Sequence, residues 1–80
     1  MTAPAYYAVD GVIFRRGGAS VTMARAYRIE ASHRSNVAFW FSLDTADPVI
    51  RLKMAKAEQR LAEEMAAAIA EITGSERRAA

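Results

Sequence analysis

Few side chains in this sequence have the type and spacing that catalysis requires. His33 is the only imidazole, and it lies between Ser32 and Arg34 in a polar segment. A nucleophile and its base must face each other across a site, which neighbours in one loop do not do. Glu63 and Glu64 are adjacent carboxylates, but neighbours on a helix point about 100° apart. We therefore expect a solvated turn histidine, two surface carboxylates and no catalytic residue.

The sequence has no motif typical of a metal or nucleotide site either. The chain has no Cys and a single His, which is too few ligands for a structural zinc site. Gly17-Gly18 lacks the further glycines and the following helix of a loop that holds phosphates. The sequence therefore predicts neither a metal nor a cofactor.

The composition is typical of one small globular domain spanning residues 1–80. Its 80 residues are 52% apolar and 25% charged, with a net charge of +2. No run of 18 apolar residues is present, so we expect no membrane span. The start, Met1-Thr2-Ala3-Pro4, lacks the basic and apolar regions of a signal peptide. These features favour the cytoplasm, in a bacterial host because nine Arg against two Lys suggest a GC-rich bacterial or phage genome.

The first half of the chain has a strand-like pattern. Gly17-Gly18 predicts a two-residue hairpin loop between strands at about 5–16 and 19–30. That register places Phe14 opposite Val21, and Asp10 opposite Arg25 as an ion pair. Asp10-Gly11 is the competing hairpin turn, interpreted here as a bulge. Alternating apolar residues predict a third strand at about 36–43, and short connections favour an antiparallel meander.

A long helix is predicted over about 48–73. Asp47 suits the N-cap, Pro48 the first helical position and Gly74 the residue after the end. Residues 75–80 then form a polar tail. An apolar stripe at helical spacing must cover the sheet: Ile50, Met54, Ala57, Leu61, Met65, Ala68 and Ile72. The expected fold is α+β: a three-stranded antiparallel sheet covered on one face by the C-terminal helix (βββα).

The same register leaves an apolar face of the sheet open. We expect aromatic, aliphatic and arginine side chains of that face to bind a protein partner, because such residues anchor interfaces: Tyr7, Ile13, Arg15, Arg28 and Trp40. The alternative is that Trp40 folds over its small neighbours and covers the sheet itself.

The charge order along the helix is also unusual. Its first half carries Arg51, Lys53 and Lys56, whereas its second half carries Glu63, Glu64 and Glu71. The helix dipole favours the opposite order. This predicts anion or partner contacts at Arg51, Lys53 and Lys56; the alternative is an ordinary solvated face.

Two resemblances follow from these residues. The stretch from Val12 to Arg28, with Lys53 and Lys56, resembles the sheet-type DNA-binding domains of phage integrases, while the basic helix start is similar to the last helix of double-stranded-RNA-binding domains. In format, as an 80-residue, cysteine-free α+β domain with one interaction face, the whole chain resembles the small anti-CRISPR proteins of phages and mobile elements.

The anti-CRISPR resemblance implies a non-enzymatic inhibitor that binds a type I Cascade complex, such as type I-C, and blocks target DNA binding. No motif defines that class, so it assigns no residue a role. The alternative is a small nucleic-acid-binding regulator that uses Arg15, Arg16, Arg28, Arg34 and the helix start. A structural homodimer is a third reading, and direct binding of nucleic acid is left open.

Overall fold

The computed structural model describes residues 3–44 and 47–79, with side chains through Gly74. Three short strands come first: β1 (Tyr6–Val9), β2 (Val12–Arg15) and β3 (Ser20–Val21). Two helices follow, α1 (Met23–Ser42) and α2 (Pro48–Ala79). The sheet is antiparallel with strand order β1-β2-β3. The predicted α+β fold is therefore confirmed, with a three-stranded antiparallel meander and a C-terminal helix packed against it.

Two glycine-containing turns build the sheet. Asp10 and Gly11 connect β1 to β2 with φ angles of 50° and 78°. Positive φ at both central residues is the conformation of a type I′ hairpin, whose twist matches that of the strands. The second loop contains Arg16, Gly17 and Gly18, and Arg15 N–H donates to the Ala19 carbonyl at 2.9 Å. The prediction that Asp10-Gly11 is a bulge was therefore wrong, because it is the first hairpin turn.

The strand register differs from the predicted one by one residue. Val21 pairs with Ile13, and Phe14 pairs with Ser20, because the loop has three residues and not two. A shift of one residue moves every side chain of a strand to the other face. Ile13 therefore points into the core and Phe14 points away from it, the reverse of the prediction. The predicted Asp10–Arg25 pairing is lost with that register.

Helix α1 replaces most of the second predicted strand and the whole of the third. Thr22 caps it: its hydroxyl accepts from Arg25 N–H at 3.3 Å. The strands predicted at 19–30 and 36–43 were therefore wrong beyond Val21. Along α1, side chains at helical spacing face α2. They include the buried Ala26 and, one and two heptads further on, the half-buried His33 and Trp40. This helical spacing allows α1 to bury one face against α2, which outweighs the local alternation of Val37, Phe39 and Phe41.

Helix α2 begins where the sequence predicts. The Asp47 carboxylate accepts from Val49 N–H at 2.8 Å, and Pro48 is the first helical residue. The end at 73 and the tail at 75–80 were wrong, because the helix continues through Gly74 to Ala79; Ala80 lies outside the described residues. At 1.5 Å per residue α2 is about 48 Å long, which accounts for the longest dimension of the molecule, 49 Å.

The core lies between the sheet and the C-terminal half of α2. Its buried residues come from both layers and from the start of α1: Ile13, Val21, Ala26, Met65, Ala68, Ile69 and Ile72. Tyr6, Ala8, Met23 and Ile29 pack around them. The sheet is short, so it covers only this half of the helical hairpin.

Candidate functional site

The apolar stripe of α2 is covered along only part of its length. Met65, Ala68 and Ile72 are buried beneath the sheet, as predicted. Ile50 and Met54, on the same stripe, remain 54% and 39% exposed. The stripe continues past the end of the sheet, where its residues stay exposed because α2 turns Ala55 and Ala62 towards α1 instead.

The uncovered part belongs to a larger apolar surface, which we call the helical tip. It consists of the exposed apolar side chains at the end of α1 and the start of α2: Phe39, Phe41, Val49, Ile50, Leu52 and Met54. These side chains are between 39% and 72% exposed. On α2, Ile50 and Met54 are four residues apart and share one side of the helix, whereas Val49 and Leu52, three apart, share another. Exposed apolar side chains concentrated at one end of a fold are typical of an interaction site.

Contacts within the hairpin hold the tip in place. Ala55 is fully buried, which brings the two helices close together. Trp40 is half-buried, and its ring meets that of Phe39 edge-on with centroids 5.7 Å apart. The Ser42 hydroxyl donates to the Phe39 carbonyl at 2.9 Å, and Arg51 Nη1 donates to the Phe41 carbonyl at 3.5 Å. The tip is thus a packed end of the fold.

The predicted basic residues of α2 lie at this tip. Lys53 and Lys56 are exposed and three residues apart, so they share a helix face. Arg51 is half-buried, and its Nη1 donates to the Phe41 carbonyl at the end of α1. Lys53 and Lys56 lie beyond the first turn, where the dipole effect has largely decayed. Lys53 and Lys56 share the helix face of Val49 and Leu52, so the tip combines exposed apolar side chains with two neighbouring cations.

The five residues expected to share an open sheet face do not lie together. Ile13 is 1% exposed and belongs to the core. Tyr7 is on the outer face of β1, and Arg15 ends β2. Arg28 and Trp40 lie on α1. The predicted common face was wrong, since it depended on the shifted register and on strands that are helical.

The sheet nevertheless has an apolar outer face made of other residues. Tyr7, Val9 and Val12 are 37%, 50% and 41% exposed. Tyr7 stacks on Phe14, its cross-strand partner, with ring centroids 5.8 Å apart. Tyr7 and Val9 were expected on the open face, and Val12 and Phe14 join them because Asp10-Gly11 is the turn.

His33 is not the solvated loop residue that the sequence suggests. It lies on α1, where Nε2 is 3.0 Å from the Tyr6 hydroxyl and Nδ1 is 2.6 Å from Glu58 Oε2. An ionised Glu58 can only accept, so Nδ1 carries the proton and Nε2 of a neutral ring accepts from Tyr6. The chain of contacts joins β1, α1 and α2. These contacts hold β1 on the helical hairpin, and they give a polar partner to the Tyr6 hydroxyl, both ring nitrogens of His33 and Glu58 Oε2.

Sequence reasoning missed the tip for an identifiable reason. Thr22 after a β-strand is a good helix N-cap, and a helix starting there would have turned Phe39 and Phe41 away from the sheet. Reading residues 36–43 as a strand instead assigned both rings to the core.

No protein-family model, no curated protein and no solved structure matches this chain. Within residues 3–44 and 47–79, neither helix has an apolar stretch long enough to cross a membrane. The same described residues contain no cluster of three or more side chains suited to hold a metal ion.

Proposed function

We propose that this protein is a non-enzymatic interaction protein that binds a protein partner through the helical tip. The observation that carries the proposal is the apolar surface of six large side chains that the sheet leaves uncovered. An ordinary solvated helix end would carry polar side chains at these positions. Phe39, Phe41 and Met54 are of the residue types that are enriched at protein interfaces.

Charge defines the kind of surface that fits. Lys53 and Lys56 flank the apolar centre, so the complementary partner surface is an apolar patch with carboxylates at its edge. Charges at the rim of an interface mainly govern the association rate and its dependence on salt. The exposed apolar residues therefore provide affinity, while the two lysines steer the encounter.

The specific form of the proposal follows the anti-CRISPR resemblance. The protein acts in the bacterial cytoplasm, binds a subunit of a type I Cascade complex, such as type I-C, and prevents target DNA from engaging. Support comes from the format of the chain together with the tip, which suits steric blocking because it is apolar with a basic margin. An inhibitor of this kind occupies the protein surface and makes no covalent change.

A direct test measures DNA binding by a type I-C Cascade complex in mobility-shift assays with the wild-type protein and with Ile50→Glu. We expect inhibition to weaken by about thirtyfold or more, which corresponds to the loss of one interface anchor worth about 2 kcal/mol. Tyr27→Glu is the matched control, because Tyr27 is 51% exposed on a helix and lies at the other end of α1. It should inhibit like the wild type.

The charged margin has its own test. Lys53→Glu with Lys56→Glu should slow association with Cascade and change stability little. Arg25→Glu with Arg28→Glu, an exposed pair with the same spacing on α1, is the control. The regulator alternative is supported instead if the wild type binds bare duplex DNA with a steep salt dependence. Full inhibition by Ile50→Glu and by the lysine variant would refute the tip as the binding site.

A further inference from the structure

A second surface, separate from the helical tip, lies where the sheet edge meets α2. Among the residues that the structure describes, β1 pairs with β2 alone, so it is an edge strand. A cleft of about 260 Å³ lies beside β1 and α2 and is lined by Tyr6 and Ala8 on the strand and by Glu64, Ala67 and Glu71 on the helix, among others. The cleft is open to solvent along the unpaired side of the strand.

The hydrogen-bond pattern of the hairpin shows which main-chain groups face this cleft. Val9 and Val12 close the two-residue Asp10-Gly11 turn, so the main-chain groups of Val9 point to β2. Hydrogen-bonded residues alternate along an antiparallel strand, so those of Tyr7 also point to β2, and the Ala5 carbonyl continues the pattern by accepting from Arg16 N–H at 2.8 Å. The N–H and C=O groups of Tyr6 and Ala8 consequently face outwards. Four main-chain groups are available to a further strand.

The edge strand is short, but it lacks the side chains that usually protect an edge. Pro and Lys are absent from Tyr6–Val9, and no charged side chain occurs within the strand. On the opposite wall Ala67 is exposed and ends at Cβ, which leaves room beside β1 for another chain. Strand addition of this kind takes its affinity from main-chain hydrogen bonds and its specificity from alternate side chains.

The charge of the side chains that line the cleft changes from one end to the other. Glu71 is exposed at one end and forms no ion pair with any residue the structure describes. Glu64, midway, already accepts from Ala5 N–H and pairs with Arg60. An adjoining cleft of about 240 Å³ is lined by Arg16 and Arg60 and shares Glu64 with the first. The groove is therefore acidic at one end and basic at the other.

The polarity of the strand sets the direction of a guest. Ala5 lies at Glu64, and Gly11, beyond the end of β1, lines a cleft with Ile72, so β1 runs in the same direction as α2. An antiparallel guest strand would start beside Glu71 and end beside Arg16 and Arg60. The helix rises about 16 Å between Arg60 and Glu71, a length that about five extended residues span.

We infer that this groove binds an extended segment of another protein, which adds a strand to β1 with a basic side chain towards Glu71 and an acidic one towards Arg16 and Arg60. The Tyr6–Val9 strand of a second copy has no charged side chain to offer at either end, so the complementary guest is a segment of another protein. The site does not rest on the helical tip or on the proposed function. It gives the protein a second binding surface.

The test uses two labelled pentapeptides with blocked ends and the same composition, Lys-Val-Thr-Val-Glu and Glu-Val-Thr-Val-Lys. Fluorescence polarisation with the full chain should show saturable binding of the first, with a dissociation constant on the order of 0.1–1 mM. The reversed peptide should bind at least about threefold more weakly, since it places like charges at both ends. Amide shifts on binding should map to β1 and to residues 64–71 of α2.

Three variants test the groove. Ala8→Pro removes an outward N–H without breaking the β1–β2 ladder and should abolish binding. Ala67→Leu fills the cleft from the α2 side and should also abolish peptide binding, while β1 stays unchanged. It tests the groove even if Ala8→Pro does not fold. Glu71→Lys should cancel the preference between the peptides, whereas Glu63→Lys, an exposed control on α2, should preserve it.

The proposal is overturned if neither peptide binds the folded protein with a dissociation constant below about 5 mM, a limit that corresponds to about 3 kcal/mol of binding free energy. Undiminished binding by Ala67→Leu also contradicts it, as do amide shifts confined to the helical tip. A concentration-dependent dimer that Ala8→Pro abolishes would show that a second copy of this chain occupies the β1 edge. That result would also refute the binding of a segment from another protein. Loss of Cascade inhibition in tip variants has no bearing on these results.

Discussion

Replacing Ile13 by Ala tests the observed strand register more directly than any other single change. In this register Ile13 is 1% exposed and packs with Val21 and Ile72 in the core. In the register one residue away, it would lie on the open face and its truncation would cost little. The neighbouring Val12, 41% exposed on the outer face, is the matched control.

The magnitude follows from burial. Ile→Ala removes three carbon atoms, and at about 0.8 kcal/mol for each buried methylene the transfer contribution is about 2.4 kcal/mol. The cavity raises the expected loss to about 3–4 kcal/mol, within the range for buried Ile→Ala changes. Val12→Ala removes two carbons that are only partly buried, so we expect a loss of about 1 kcal/mol or less. A chain of this length has a total stability of roughly 4–12 kcal/mol.

Urea denaturation followed by circular dichroism measures both losses. Ile13→Ala should lower the free energy of unfolding by about 3–4 kcal/mol and the melting temperature by more than about 12 °C. Ile13→Val removes one methyl group, so its free energy of unfolding should lie between those of Ile13→Ala and the wild type. This variant keeps the comparison measurable if Ile13→Ala is largely unfolded. Equal losses for Val12→Ala and Ile13→Ala would refute the register, and so would a larger loss for Val12→Ala.

Two further predictions concern the local structure. His33→Ala removes the contacts to Tyr6 and Glu58 and leaves both polar groups half-buried, so we expect it to lower the free energy of unfolding by about 1–3 kcal/mol in urea titrations; an unchanged stability would mean that these contacts do not hold β1 on the hairpin. Gly11→Ala should destabilise by about 1–2 kcal/mol because of its φ of 78°, whereas Gly74→Ala, inside α2 with open space at its Cβ, should stabilise by about 0.5–1 kcal/mol. Thermal melts that show the same sign for both glycine variants would contradict the turn and helix assignments.

Much of the fold could be predicted because some signals in the sequence are local. Asp47-Pro48 begins a helix wherever it packs, since the cap and the fixed φ of proline act within one turn. The stripe from Ile50 to Ile72 predicted the helix, and its buried face from Met65 onward. A three-stranded antiparallel sheet was also anticipated, but β1 and β2 both lie within the single strand predicted at 5–16.

The register and the second helix were not decided locally. Asp10-Gly11 and Gly17-Gly18 are both good hairpin signals, and both are used: Asp10-Gly11, expected as a bulge, is a two-residue turn, and Gly17-Gly18 lies in a loop of three residues and not two. A difference of one residue in the second loop exchanged Ile13 and Phe14 between the two faces. Residues 36–43 fit both a strand and a helix, since short apolar runs carry both periods.

What the sequence determined by itself is the sheet-and-helix composition, the start of α2 and the reversal of charge along it. What only the tertiary structure decided is where those features face. Packing of α1 on α2 turned Phe39 and Phe41 outwards, and the short sheet ended before it reached Ile50. The basic half of α2 thereby became the margin of the apolar tip, and the acidic half became the wall beside β1. Burial of one helix against another is a non-local free energy, so no local pattern of residues could specify these surfaces.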